Sequence, residues 1–135
     1  MQSLCTSAIQ RTLDIARAEF TSLPVISEAK LIDRAFVIIY SAEKNKTKQI
    51  ASLRKHTDGH TGITILVTLT QTGRDFEGGG TRFWKSDGST VDVSPDAGGG
   101  VFFAAKGTEF REAPHMGLAV TSGRRLVLAY FAYLY

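Results

Sequence analysis

Residues 115–132 read HMGLAVTSGRRLVLAYFA. Two runs rich in leucyl, β-branched and aromatic side chains flank Thr121-Ser122-Gly123, whose residue types favour turns. The spacing predicts two strands, 115–120 and 125–132, joined as a hairpin. With Val120 facing Arg124, Ala119 lies opposite Arg125 and His115 opposite Ala129. Cross-strand neighbours share a face and faces alternate along each strand. Arg125 then falls on the His115 face and Arg124 on the other; a one-residue slip in register favours Arg124 instead.

Upstream, the same texture repeats. Short strand-like runs occur at 53–58, 63–70, 81–84, 91–93 and 100–105, separated by turn signals at Gly59–Gly62, Gly73, Gly78–Gly80, Asp87-Gly88 and Pro95–Gly99. LIDRAFVIIY (31–40) reads as the first strand, and the polar residues 41–52, with Lys44, Lys46 and Lys48, as an exposed loop. All 13 glycines lie between Gly59 and Gly123. Before them, Cys5, Ile9, Leu13, Ala16 and Phe20 follow the spacing of one helical face, so residues 3–20 read as an amphipathic helix that Pro24 helps to end. A helix followed by about eight short strands with glycine-rich turns indicates a mainly β (α+β) fold: a sandwich, jelly roll or barrel with an N-terminal supporting helix. At 135 residues and 43% hydrophobic, the chain suits one domain, 1–135, with helical support over 1–30 and the β core over 31–135.

Composition narrows the function. Sixteen Lys and Arg against 13 Asp and Glu leave a net charge of +3, too mild for a dedicated nucleic-acid binder, so no nucleic acid is expected. The single cysteine, Cys5, excludes an intramolecular disulfide and a cysteine-built zinc site. The N-terminal residues lack the pattern of a secretory signal, and no apolar run approaches the ~18 residues of a spanning helix. A soluble, intracellular and cytoplasmic protein with no membrane partner is the expectation.

The chain has three histidines, His56, His60 and His115. His56 and Asp58 form H-x-D within a predicted strand, where side chains two apart share a face at ~6.5–7 Å. An imidazole and a carboxylate can then meet at one ion, and His115 would complete two histidines and one carboxylate. That set occupies three adjacent positions of an octahedron and leaves three open, as non-haem Fe(II) oxygenases require. H-x-D alone is a short motif, and the competing reading is a surface imidazole beside a carboxylate. His60 has the strand parity of His56 and Asp58 but sits where the strand is already turning, which favours a supporting role over metal ligation. Arg125 stands four rungs from His115, ~13–14 Å at ~3.4 Å per residue. A guanidinium and a five-carbon dicarboxylate held on the metal can span that distance together, and the planar fork suits the far carboxylate.

S-L-R-K-H-T-D-G (52–59), D-F-E-G-G-G-T-R-F (75–83) and H-M-G-L-A-V-T-S-G-R-R (115–125), in that order, resemble the Fe(II)- and 2-oxoglutarate-dependent dioxygenases, nearest the prolyl and lysyl hydroxylases. The resemblance spans roughly residues 31–132. It implies a double-stranded β-helix (jelly roll), with His56, Asp58 and His115 as iron ligands and Arg125 binding 2-oxoglutarate. Tyr40 matches a tyrosine that contacts the co-substrate, although a longer loop separates it from His56 here. Little sequence precedes the first core strand, and Ala119 stands where many relatives have proline.

The activity so implied is oxidative decarboxylation of 2-oxoglutarate with O2, coupled to hydroxylation of a C–H bond. The substrate would be a prolyl or lysyl side chain in a protein or peptide, or a small molecule. The resemblance implies Fe(II) and 2-oxoglutarate and leaves room for ascorbate. A non-catalytic β-helix interaction module is the alternative from another class, and the complete ligand set argues against it. The glycine run 78–80 reads as a tight turn near the metal mouth, and the Lys44–Lys48 loop with Arg54 and Lys55 as a solvated loop or a lid that attracts an anionic substrate. Trp84, Phe102, Phe103, Tyr130 and Phe131 read as sheet packing.

Overall fold

The computed structural model describes Arg11 and residues 30–43, 50–59, 62–105 and 113–133. Apart from Arg11, the expected helix over 3–20 lies outside the described residues, as do Lys44, Lys46, Lys48 and His60. Nine strands are present among the described residues: β1 (Lys30–Ser41), β2 (Leu53–His56), β3 (Gly62–Thr68), β4 (Phe76–Gly78), β5 (Thr81–Trp84), β6 (Thr90–Val93), β7 (Gly100–Ala104), β8 (His115–Gly117) and β9 (Val120–Tyr133).

The strands form two antiparallel sheets. The major sheet runs β1-β9-β3-β7, with β4 pairing the first residues of β9; the minor sheet runs β2-β8-β5-β6. From β1 to β3 and again from β7 to β9 the chain alternates between the sheets, as the expected jelly roll requires. No helix among the described residues is long and apolar enough to cross a membrane.

The apolar pattern explains this layering. β3 (GITILVT) and the later half of β9 (LVLAYFA) read as nearly continuous apolar runs because both faces are buried. On one face Ile63, Ile65, Val67, Leu128 and Tyr130 are buried. On the other, Tyr40 and Val127 join Phe76 and Val120 in a cluster against which Ile38, Leu53 and Leu66 pack. That second face looks toward the minor sheet, and the site lies between them.

Four expectations are corrected. The hairpin between 115–120 and 125–132 does not form: β8 pairs β2 and β5, whereas β9 lies in the major sheet. The chain passes from one sheet to the other at Leu118-Ala119, and Thr121-Ser122-Gly123 belongs to β9, paired in part with β4. Arg125 therefore faces Tyr40 of β1, and Arg124 faces Ser41. Arg125 is buried and Arg124 half-exposed, the sidedness expected, but set by β1 rather than by β8. Strand β2 ends at His56, so Asp58 lies beyond it instead of within it. β4 was not anticipated, since three residues carry no readable period.

Ile65 is completely buried in the central strand β3. Ile65→Ala is expected to lower the free energy of unfolding by about 2–5 kcal/mol, whereas Val91→Ala on the exposed β6 should cost far less. Urea denaturation of both variants measures the contrast.

Candidate metal centre

His56 and His115 are direct cross-strand partners in the β2–β8 ladder, so sheet register alone brings together residues far apart in sequence. Their rings lie 4.3 Å apart between centroids. Asp58, two residues past His56, turns its Oδ1 toward both: 3.5 Å from His56 Nε2 and 3.9 Å from His115 Nε2. One ligand atom from each of the three residues lies within 4.8 Å of the others.

The protons on these rings are placed by the backbone. His56 Nδ1 donates to the Arg54 carbonyl at 2.7 Å and His115 Nδ1 to the Ala113 carbonyl at 3.0 Å. A carbonyl only accepts, so each neutral ring carries its hydrogen on Nδ1 and presents a lone pair at Nε2. Burial holds the His115 pKa below its ordinary value and His56 adds to that, against the Ala113 carbonyl and Asp58, which raise it. The two Nε2 atoms and a carboxylate oxygen thus face one point, and this donor set of two histidines and one carboxylate fits a divalent transition metal. Phe103, with its ring 4.5 Å from His115, and Phe83 at 5.8 Å hold that imidazole in place. Asp58 Oδ2 accepts a hydrogen bond from Thr64 Oγ1.

The three donors open into a cavity of about 220 Å³ between the sheets. Tyr40, Leu53, Leu66, Gly117 and Phe131 line it, with Thr64 and Thr81 adding hydroxyls. One layer behind Tyr40 and Thr81 lies Arg125, only 2% exposed. Its guanidinium donates to the Gly80 carbonyl at 2.9 Å and to Thr81 Oγ1 at 3.2 Å, and sits 5.1 Å from the Tyr40 ring centroid. Burial lowers the Arg125 pKa and Tyr40 opposes this; burial likewise raises the Tyr40 phenol, with Arg125 opposing. Among the described residues no carboxylate pairs with Arg125. A buried cation so placed is costly unless an anion joins it.

His56, Asp58 and His115 are therefore brought together, and Arg125 meets Tyr40 from one layer behind the cavity wall. Arg124 points away and lies 3.6 Å from Glu43, while Lys55 covers the Trp84 ring at 4.3 Å. Phe131 and Phe103, expected only to pack, reach the cavity and His115 respectively. Sequence reasoning missed Thr64 and Thr81, and it gave the glycine run as a tight turn near the metal mouth without its contact with Arg125. At Gly79 (φ +70°) a Cβ would lie 3.1 Å from Arg125 Cδ, so the run lets backbone pass beside the arginine and turn the Gly80 carbonyl onto it. A hydroxyl at Thr64, inside an otherwise apolar strand, was the one available signal for the first of these.

Comparison with known proteins agrees with this geometry. The family model of the 2OG-Fe(II) oxygenase superfamily matches residues 39–133. Over 96 residues, 71% of this chain, the sequence is 34% identical to a multifunctional procollagen lysine hydroxylase and glycosyltransferase of Caenorhabditis elegans. The identity is also 34% over 96 residues to procollagen-lysine,2-oxoglutarate 5-dioxygenase 2 of Homo sapiens. The matched region is only 12% and 11% of the length of those relatives. The crystal structure of a Pseudomonas putida prolyl-4-hydroxylase superposes with a TM-score of 0.58 at 24% identity, covering 76% of this chain and 54% of that one, and so shares the fold.

Gly117 of β8 is where Tyr40 rests: a Cβ there would lie 2.5 Å from the Tyr40 hydroxyl oxygen. Gly117→Ala is expected to displace Tyr40 and cost about 1–3 kcal/mol. The cost should shrink when Tyr40 is first truncated to Ala. A double-mutant cycle on thermal or urea denaturation measures that coupling.

Proposed function

This chain belongs to the 2OG-Fe(II) oxygenase superfamily, and from that premise we propose that it hydroxylates a prolyl or lysyl side chain of a protein or peptide, with His56, Asp58 and His115 holding Fe(II) and Arg125 and Tyr40 receiving 2-oxoglutarate. The observation that carries the reading is the pairing of two sites. Three metal-donor atoms lie within 4.8 Å of one another, and one layer away is a buried arginine whose partners, the Gly80 carbonyl, the Thr81 hydroxyl and the Tyr40 ring, are all neutral. A metal-chelating dicarboxylic acid suits both.

With both groups bound, Fe(II) and 2-oxoglutarate supply the oxidation: O2 converts 2-oxoglutarate to succinate and CO2, and one oxygen atom replaces hydrogen on the substrate carbon as hydroxyl. The chain's part is placement. The Arg54 and Ala113 carbonyls accept from Nδ1 of the two rings and so aim both Nε2 atoms at the site. Gly80 and Thr81 orient the Arg125 fork before any ligand arrives, which lowers the ordering cost of binding. Leu53, Leu66, Ala129 and Phe131 give the cavity apolar walls that limit water. The prolyl or lysyl target follows the relatives' names, two of which are lysine hydroxylases. The same reading takes residues 31–135 as the β core, 1–30 as its support, and a reducing cytoplasm as the setting in which Cys5 stays a thiol.

Purified protein supplied with Fe(II), 2-oxoglutarate, ascorbate to keep the iron ferrous, and a prolyl- and lysyl-peptide library is expected to release succinate. Asp58→Ala should fall to the metal-free background. Arg125→Ala should raise the 2-oxoglutarate KM about 10-fold or more, the loss of at least one charge-assisted hydrogen bond. Undiminished turnover in Asp58→Ala overturns the assignment.

A further inference from the structure

We propose that Thr64 is the positioning residue of the metal centre: its hydroxyl holds Oδ2 of Asp58 so that Oδ1 alone is presented to the two imidazoles. The inference rests on the reading of His56, Asp58 and His115 as the ligand set, and concerns how that set is kept in order.

The three donors are supported unequally. Each histidine sits in a paired strand and has its ring oriented by a carbonyl two residues earlier in its own chain. Asp58 has neither advantage. It lies past the end of β2, and Thr64 is the only hydrogen-bond donor to its carboxylate among the described residues. A carboxylate on an irregular segment can rotate and offer either oxygen or both. The hydroxyl removes that freedom, because it occupies one oxygen and leaves the other as the single ligand atom.

Thr64 suits the task by its place in the fold. It lies in β3, which is paired on both sides, opposite Phe131 of β9 and Phe103 of β7, and it is 1% exposed. Both backbone and rotamer are constrained there, since β-branched side chains have few χ1 choices. The hydroxyl also comes from the major sheet, whereas both histidines belong to the minor one. The Thr64–Asp58 bond thus ties the geometry of the metal site to the opposite wall of the jelly roll. Partners of this kind typically change metal affinity 10–100-fold when removed.

The test is Co(II) titration of the full chain, followed by visible absorption, for wild type, Thr64→Val, Thr64→Ser and Asp58→Ala, with apo-protein melting curves alongside. Thr64→Val keeps the shape and removes the hydroxyl. It should bind Co(II) about 10–100-fold more weakly while its apo melting point stays near wild type, and Thr64→Ser should recover most of the affinity. Wild-type affinity in Thr64→Val overturns the proposal, and so does a serine variant as weak as the valine one, which would mark a packing role. If Thr64→Val does not fold, Thr64→Ala against Thr64→Ser reads the same contrast. If Asp58→Ala binds Co(II) as wild type does, the ligand assignment itself fails; if it loses binding while Thr64→Val retains it, only the present inference does.

Discussion

Three electron-pair donors pointing at one another across a few ångströms form an arrangement that a protein does not hold without reason. In this chain the Nδ1 protons of both histidines are turned outward to backbone carbonyls, and a carboxylate oxygen of Asp58 lies near both Nε2 atoms. Much of the surrounding structure serves that convergence. The β2–β8 register sets the two rings side by side, Phe83 and Phe103 wall in the buried one, and Thr64 reaches across from the other sheet to the carboxylate.

The second constraint is the charge behind the cavity. Arg125 is almost fully buried in a strand whose other inward residues are apolar. Its desolvation is offset in part by the Gly80 carbonyl, the Thr81 hydroxyl and the Tyr40 ring face, all neutral partners. Neutral partners orient a guanidinium without cancelling its charge, so attraction for an anion persists. This also explains the glycines at 79 and 117. A side chain at the first would press on Arg125, Phe76 and Val120, and one at the second would occupy space taken by Tyr40.

How much of this could be read from the sequence depends on what kind of information each feature carries. The strands with their own turn signals were legible; TRFW (81–84) is β5 to the residue. His56, Asp58 and His115 were legible as a candidate trio because H-x-D and a distant histidine form a specific pattern of donor types, and the structure brings the three together. Pairing was not. Alternation along a strand says which residues share a face, but it does not name the neighbouring strand. HMGLAVTSGRRLVLAYFA is compatible with a hairpin or with a sheet-to-sheet crossing followed by one long strand. The crossing at Leu118-Ala119 carries neither glycine nor proline to mark it. Thr64 was hidden for a related reason, since threonine is a good strand former and needs no further justification inside ITILVT.

The hairpin error and the correct reading of Arg125 rather than Arg124 as the inward-facing residue have one physical root. Only one of two adjacent strand residues can face the minor sheet, and β9 already commits Val127, Ala129 and Phe131 to that side and Leu128 and Tyr130 to the other. Whichever strand lies beside β9, Arg125 shares the side of Val127. Adding Tyr40 as its neighbour then settles where that side leads. Face parity within a strand is thus a sturdier guide to a buried functional residue than the identity of its partner strand. It survives a wrong topology, because it depends on the pleat alone.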